Sequence, residues 1–272
     1  MSTTLATEQS TGTRFLSERA RAFTGTPLQT LPTREYISLS QGTPDLPTPQ
    51  HAIDAVTEYL KGGTVYYTFH DGMPELRAAI ARKLERDNGL VYDAQEQIIV
   101  TAGAQEAMFV ALFGTLGPGD VLLAADPHYK IYDEVVHLAG ATVQTVPAHA
   151  ESGFQMDADA LAAAVTPSTK AILLVSPDNP TGAVQNRETC EKVAAIAREH
   201  DLLVFADELY ERFLFDGAEH VSIANLPGMM ERTITINGFS KAYAMTGWRL
   251  GYMAASEAIA KAARSRWSPP PP

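Results

Sequence analysis

Apolar, β-branched runs recur along the chain at 98–101, 121–125, 142–146, 171–176, 202–206, 233–237 and 250–254. Between most of them the apolar positions switch to helical spacing, at 106–116, 131–138, 158–165 and 188–200. Short continuous apolar strands joined through helices are what a parallel sheet covered on both faces requires. The pattern therefore predicts an α/β fold of three layers, with helices on both sides of a mostly parallel seven-stranded sheet. Ahead of it, 1–13 is polar and predicts disorder, 15–23 predicts a short helix, and 40–47 is a turn-rich loop that ends at a helix start. Behind it, 257–264 predicts a helix, after which the chain runs into four prolines that cannot continue one. No internal repeat is visible. The expected division is an amino-terminal arm over 1–37, a large domain over 38–264 and an unrelated proline-rich tail over 265–272.

Composition narrows the partners. With 21 Lys+Arg against 32 Asp+Glu the net charge is −11, and no basic stripe exists to replace counterions on a nucleic acid. A small anionic ligand is still permitted, because local dipoles and one or two cations outweigh a distant net charge at physiological screening. Cys190 is the only cysteine, so no intrachain disulfide can form. It falls in the helical pattern 187–199 and reads as a buried, inert thiol. No apolar window reaches membrane-spanning length, and 1–13 lacks the apolar core of a secretion signal, so neither a membrane nor export is expected and the cytoplasm is the expected location.

Four short segments at strand ends carry candidate chemistry, the place where open α/β sheets bind ligands. Thr101–Ala102–Gly103–Ala104–Gln105 lies between a strand and a helix; its small residues let backbone N–H groups and the helix dipole face an anion, although a tight turn alone would look the same. Asp178–Asn179–Pro180–Thr181–Gly182 is a turn in which Asn179 can offer its amide. Asp207 follows five apolar residues, in Asp207–Glu208–Leu209–Tyr210, which sets a carboxylate at the edge of a dry core; it is either a helix cap or the partner of a cation. In the run 240–251 Lys241 follows a β pattern and Arg249 lies eight residues later; taken alone, Lys241 is an ordinary surface lysine.

Together, Asn-Pro-Thr-Gly, then Asp-x-x-Tyr, then Ser-Lys-x7-Arg-x-Gly, in this order and spacing, resemble the class I aminotransferases, which are fold-type-I pyridoxal-phosphate enzymes, over about 38–256. The resemblance implies that Lys241 forms a Schiff base with the aldehyde of pyridoxal 5'-phosphate, and that Asp207 pairs with the pyridine nitrogen and keeps it protonated. Asn179 and Tyr210 would hydrogen-bond the ring's phenolic oxygen. Gly103, Ala104, Gln105, Ser240 and Arg249 would surround the phosphate, for which the planar fork of arginine is suited. Gly238 is a departure, since some relatives carry a phosphate-binding serine there. Tyr129 would stack on the ring. Tyr67 would reach the phosphate of a partner subunit, which implies a homodimer, and Gly42 would contact the substrate carboxylate along with Asn179.

The resemblance further implies transfer of an amino group from an L-amino acid to a 2-oxo acid, with Lys241 moving the proton between Cα and the cofactor. A carbon–sulfur lyase or a synthase shares the same cradle and differs in what departs after Cα loses its proton. Relatives continue into a smaller carboxy-terminal domain whose arginine binds the substrate carboxylate; Arg264 and Arg266 are poor candidates for that role. A chain without that domain is expected to expose apolar surface, to bind the cofactor weakly and to transaminate poorly, as an inactive fragment would. Within the class I aminotransferases the resemblance is to the aspartate, aromatic and kynurenine aminotransferases, and aspartate, aromatic, methionine and kynurenine donors are all compatible with it.

Overall fold

In the computed structural model, described for residues 42–265 with Phe15 and Ser17, the residues described from 42 onward belong to one compact unit. The expected helix at 15–23, the arm 1–37 and the proline tail lie almost wholly outside the described residues.

Seven strands form one sheet: β1 (Ile98–Thr101), β2 (Val121–Asp126), β3 (Thr142–Pro147), β4 (Thr169–Val175), β5 (Leu203–Asp207), β6 (Thr233–Gly238) and β7 (Gly251–Ala254). Their order is β1-β7-β6-β5-β4-β2-β3. All neighbours pair parallel except β7, which runs antiparallel to both β1 and β6. Each boundary lies close to the apolar run that foretold it, and the expected mostly parallel sheet is the one observed.

The period of two in the strands builds two separate cores. Ala171, Leu173, Val175 and Phe205 point to one face, against the helices Ala104–Thr115 (α3), Ile131–Leu138 (α4) and Glu257–Ser265 (α7). Ile172, Leu174, Val204 and Ala206 point to the other, against Ala158–Ala164 (α5) and Arg187–Glu199 (α6). A third cluster joins Ile98, Tyr252 and Ala254 to Ile80 and Leu84, from Pro74–Lys83 (α2) and the π-helical turn Leu84–Asn88 after it. Phe205 is fully buried at the sheet centre, and burying such a side chain contributes about 2–3 kcal/mol.

Local chemistry fixes where helices begin. Asp157 accepts hydrogen bonds from the N–H groups of Asp159 and Ala160 to cap α5, and Asn186 accepts from Thr189 N at 2.8 Å to cap α6. By contrast α3 starts straight after Gly103 with no side-chain cap, two residues earlier than the apolar spacing predicts. The remaining helix, Gln50–Lys61 (α1), buries none of its residues; Tyr59 and Leu60 are exposed, as are Val65, Tyr66, Tyr67 and Phe69 beyond it. Arg264 lies in α7, as the helix expected over 257–264 requires. Its guanidinium bonds the backbone oxygen of Glu96 and lies 3.3 Å from Glu96 Oε2.

Candidate active site

The end of the sheet where β4, β5 and β6 stop opens into a cavity of about 630 Å³. Asp207 is the last residue of β5, held on both sides: Ser176 N donates to its carbonyl at 3.1 Å, and Glu208 N donates to Ile236 O at 2.9 Å. Its carboxylate faces the cavity with Leu209 N on Oδ1 at 3.1 Å and the Tyr132 hydroxyl on Oδ2 at 2.8 Å. Burial pushes the Asp207 carboxyl above its ordinary range, against the pull of these two donors. Among the described residues no cation pairs with it. A buried carboxylate so placed is what a cationic ring nitrogen would complete.

Lys241 lines the same cavity, in the turn that follows β6. That turn closes through Ala244 N to Lys241 O and Met245 N to Ser240 O, each at 3.2 Å. The ammonium donates to the Gly42 carbonyl and sits 5.9 Å from the centre of the Tyr210 ring. Partial burial holds its pKa below the usual lysine value, and no carboxylate pairs with it among the described residues. An amine eased toward its neutral form can act as a nucleophile or a base.

A third group of residues makes an anion cradle. Gly103 adopts φ +89°, and a Cβ there would collide with the Arg249 guanidinium, so only glycine admits the arginine this close to the start of α3. A Cβ on Gly251 would likewise strike the backbone of Gly103 and Ala104. Arg249 itself is left-handed at φ +53° and is steadied by carbonyls, Nη1 donating to Thr246 O at 3.1 Å and Nη2 to Ala102 O at 3.2 Å. Among the described residues no acid neutralises it. Ala104, Gln105 and Ser240 line the same region, so an uncapped helix start and a free guanidinium converge.

The remaining lining residues complete the walls. Tyr129 meets Tyr132 edge to face, with centroids 5.8 Å apart, and its hydroxyl accepts from Gln105 Nε2 at 3.4 Å. Asn179 and Tyr210 border the space between Asp207 and Lys241, with Asn179 placed by a turn in which Thr181 Oγ1 donates to Asp178 Oδ2 at 2.6 Å. Gly42 abuts both Lys241 and Tyr210.

Of the residues singled out from sequence, Gly42, Ala104, Gln105, Tyr129, Asn179, Asp207, Tyr210, Ser240, Lys241 and Arg249 all border this cavity. Gly103 stands just behind Arg249. Tyr67 does not join them; it is fully exposed, outside the cavity of this single chain. Gly238 lies away from the cavity, and a side chain there would press on the backbone of Leu250 and Gly251, so Ser240 is the serine that borders the anion cradle. Sequence reasoning missed Tyr132, Met108 and Thr246, which also line the site. Tyr132 had a readable signal: a tyrosine on the buried stripe of α4 needs a partner for its hydroxyl.

The model of the family "Aminotransferase class I and II" matches residues 34–269. The chain is 45% identical over 222 residues to an aspartate aminotransferase of Pyrococcus abyssi, covering 82% of this chain and 57% of that protein. It is 43% identical over 221 residues to an aromatic-amino-acid aminotransferase of Thermococcus litoralis, covering 81% and 57%. The chain thus spans a little over half the length of these relatives. Among solved structures, an aromatic aminotransferase from Pyrococcus horikoshii superposes with TM-score 0.83 at 44% identity, over 85% of this chain and 62% of that one. A tetra mutant of Thermus thermophilus aspartate aminotransferase gives 0.85 at 39% identity, over 93% and 66%. The family match, these identities and the shared fold establish that the chain belongs to the class I and II aminotransferases, a family of pyridoxal-phosphate-dependent enzymes.

Proposed function

We propose that the chain is the cofactor-binding part of an aminotransferase that moves an amino group from an L-amino acid to a 2-oxo acid. The observation that carries this reading is the meeting in one cavity of the Lys241 amine, the buried Asp207 carboxylate and the anion cradle at Gly103, Ala104 and Arg249. These are the three attachments that pyridoxal 5'-phosphate needs: an amine for its aldehyde, an anion for its ring nitrogen and cations or N–H groups for its phosphate. When bound, the cofactor supplies an electron sink for the pair released at Cα of the substrate.

The chain's own residues do the rest. Asp207 orients the ring by holding its N–H, and gains in that contact the positive partner that its burial demands. Arg249, Ser240 and the first turn of α3 hold the phosphate end. Asn179 and Tyr210 would hold the phenolic oxygen, and Tyr129 would pack against the ring. Lys241 Nζ would accept the proton from substrate Cα and deliver it to the aldehyde carbon of the cofactor, a role that its lowered pKa favours. Gly42 and Asn179 contact the substrate carboxylate.

The same reading makes the working unit a homodimer in which Tyr67 reaches across to the partner's phosphate. The exposed apolar residues of α1 and 65–69 support it, because such a surface on a soluble protein calls for a cover. The cytoplasm is its compartment, where the unpaired Cys190 thiol stays reduced. The test is capture: after incubation with pyridoxal phosphate and borohydride reduction, the peptide containing Lys241 should carry the cofactor mass, and the accompanying absorbance should vanish in Lys241→Ala. Labelling spread over surface lysines, or an unchanged spectrum in the variant, would reject the reading.

A further inference from the structure

Directly behind the Asp207–Tyr210 turn, and outside the cavity, lies a second set of charges that the proposed chemistry does not use. Glu208 and Glu211 point inward and are buried. Glu208 Oε1 accepts from Ser222 Oγ at 2.6 Å, and its Oε2 accepts from Asn88 Nδ2 at 3.1 Å. The same amide reaches Glu211 Oε2 at 2.8 Å. Lys83, from the end of α2, bonds Glu211 Oε1 and donates to Asn88 Oδ1 at 2.8 Å. His220 completes the group: its side chain is only 10% exposed and its Nε2 lies 3.2 Å from Glu208 Oε2, outside hydrogen-bond alignment, and neither ring nitrogen has a hydrogen-bond partner.

Charge decides what this ring must be. The charged groups that bear on it are Glu208 and Glu211 from the segment after β5 and Lys83 from α2. With a neutral imidazole, two carboxylates face one ammonium in a buried space. With an imidazolium the four charges balance, and Nε2 stands 3.2 Å from a carboxylate oxygen, which lowers the cost of burying them. We propose that His220 is a positioning residue which, by carrying a proton, locks the buried Lys83–Glu211–Asn88–Glu208 network and so fixes the turn that presents Asp207 and Tyr210 to the cavity. The use of that turn rests on the cofactor role proposed above; the lock itself does not.

The direction of titration agrees. Burial opposes the charged ring, but the adjacent Glu208 carboxylate and then Glu211 outweigh it, so the His220 pKa stands above its ordinary value. A group raised in the folded state contributes stability that is fully present below its unfolded pKa of about 6.5 and is lost as pH rises through the folded value. The turn should therefore loosen as pH rises through that folded value.

The experiment uses the 272-residue chain without added pyridoxal phosphate, so its outcome is independent of cofactor binding. Imidazole resonances of the cofactor-free protein are titrated by NMR, alone and in Glu208→Gln. One histidine should titrate above the free value, and Glu208→Gln should bring it down; if no raised histidine responds to Glu208→Gln, the proposal falls. Hydrogen exchange at Leu209 and Glu211, corrected for the intrinsic pH dependence, should then speed up across that titration by ten to the power of the measured pKa shift. In His220→Gln the same amides should show no such step. A step that survives in His220→Gln overturns the lock; should that variant fail to fold, the wild-type and Glu208→Gln titrations still decide. Zinc supplies the rival outcome: stabilisation by added zinc that His220→Gln abolishes would make the group a metal site and reject the proton.

Discussion

Tyr132→Phe isolates one hydroxyl. The tyrosine is 3% exposed, so the ring of phenylalanine keeps its packing and only the bond to Asp207 Oδ2 at 2.8 Å is lost. A hydrogen bond to an ionised buried group contributes about 1.5–3 kcal/mol, whereas the same bond to a neutral carboxyl contributes about 0.5–1.5 kcal/mol. Burial has already raised the Asp207 pKa, with the Tyr132 bond among the forces restraining it, so the variant should raise it further. For a carboxyl raised on folding the sign is the reverse of the usual one. Its contribution is fully present below the unfolded value of about 3.9 and is lost as pH rises through the folded value. In the cofactor-free protein the cost of the variant should therefore be small at the acid end and grow as Asp207 ionises, by about 1–2 kcal/mol overall. For a domain of this size that growth is about 2–8 °C in Tm. Urea unfolding of both proteins from pH 4.5 to 8 reads it directly. A difference that stays flat with pH, or that lies within about 0.5 kcal/mol throughout, would refute the claim that Tyr132 restrains an ionising Asp207.

Two further expectations follow from the site and the core. Arg249→Ala should weaken pyridoxal phosphate binding by roughly 10- to 100-fold while leaving the affinity for pyridoxal, which lacks the phosphate, within about twofold, as equilibrium absorbance titrations would show. Cys190 is buried, and its thiol is pushed up to about 12, chiefly by burial and then by Glu208; a chromogenic disulfide should react with it at pH 8 only as fast as the protein unfolds, and immediate reaction with the native chain would contradict the structure.

Much of this architecture was legible because local pattern and global fold agree. Ala171, Leu173 and Val175 alternate with Ile172 and Leu174 along β4, and each set meets its own helices. Asp207 could be placed at the end of a strand, on the edge of a dry core, from the apolar residues before it, and Lys241 and Arg249 from the β runs on either side. What could not be read is pairing between distant segments. Lys83 meets Glu211 across 128 positions, and no periodicity registers such a contact. The π-helical turn Leu84–Asn88, which brings Asn88 under Glu208, looks in sequence like the fraying end of a polar helix. Nor does an apolar run disclose its direction, so the reversal of β7 had to come from the structure.

That reversal has a consequence for tolerance to change. A seventh strand running with its neighbours would need a crossover passing over a face of the sheet. Because β7 instead turns back at the rim, the short link 239–250 alone carries the amine, the serine and the guanidinium, and both of its ends are anchored by Phe239 N bonding Leu250 O at 3.1 Å. The separation between the two grips on a bound molecule is thus set by the length of a single tether. Adding or removing one residue there would alter both grips at once, whereas insertions in the outlying loop after β3 would leave that separation untouched.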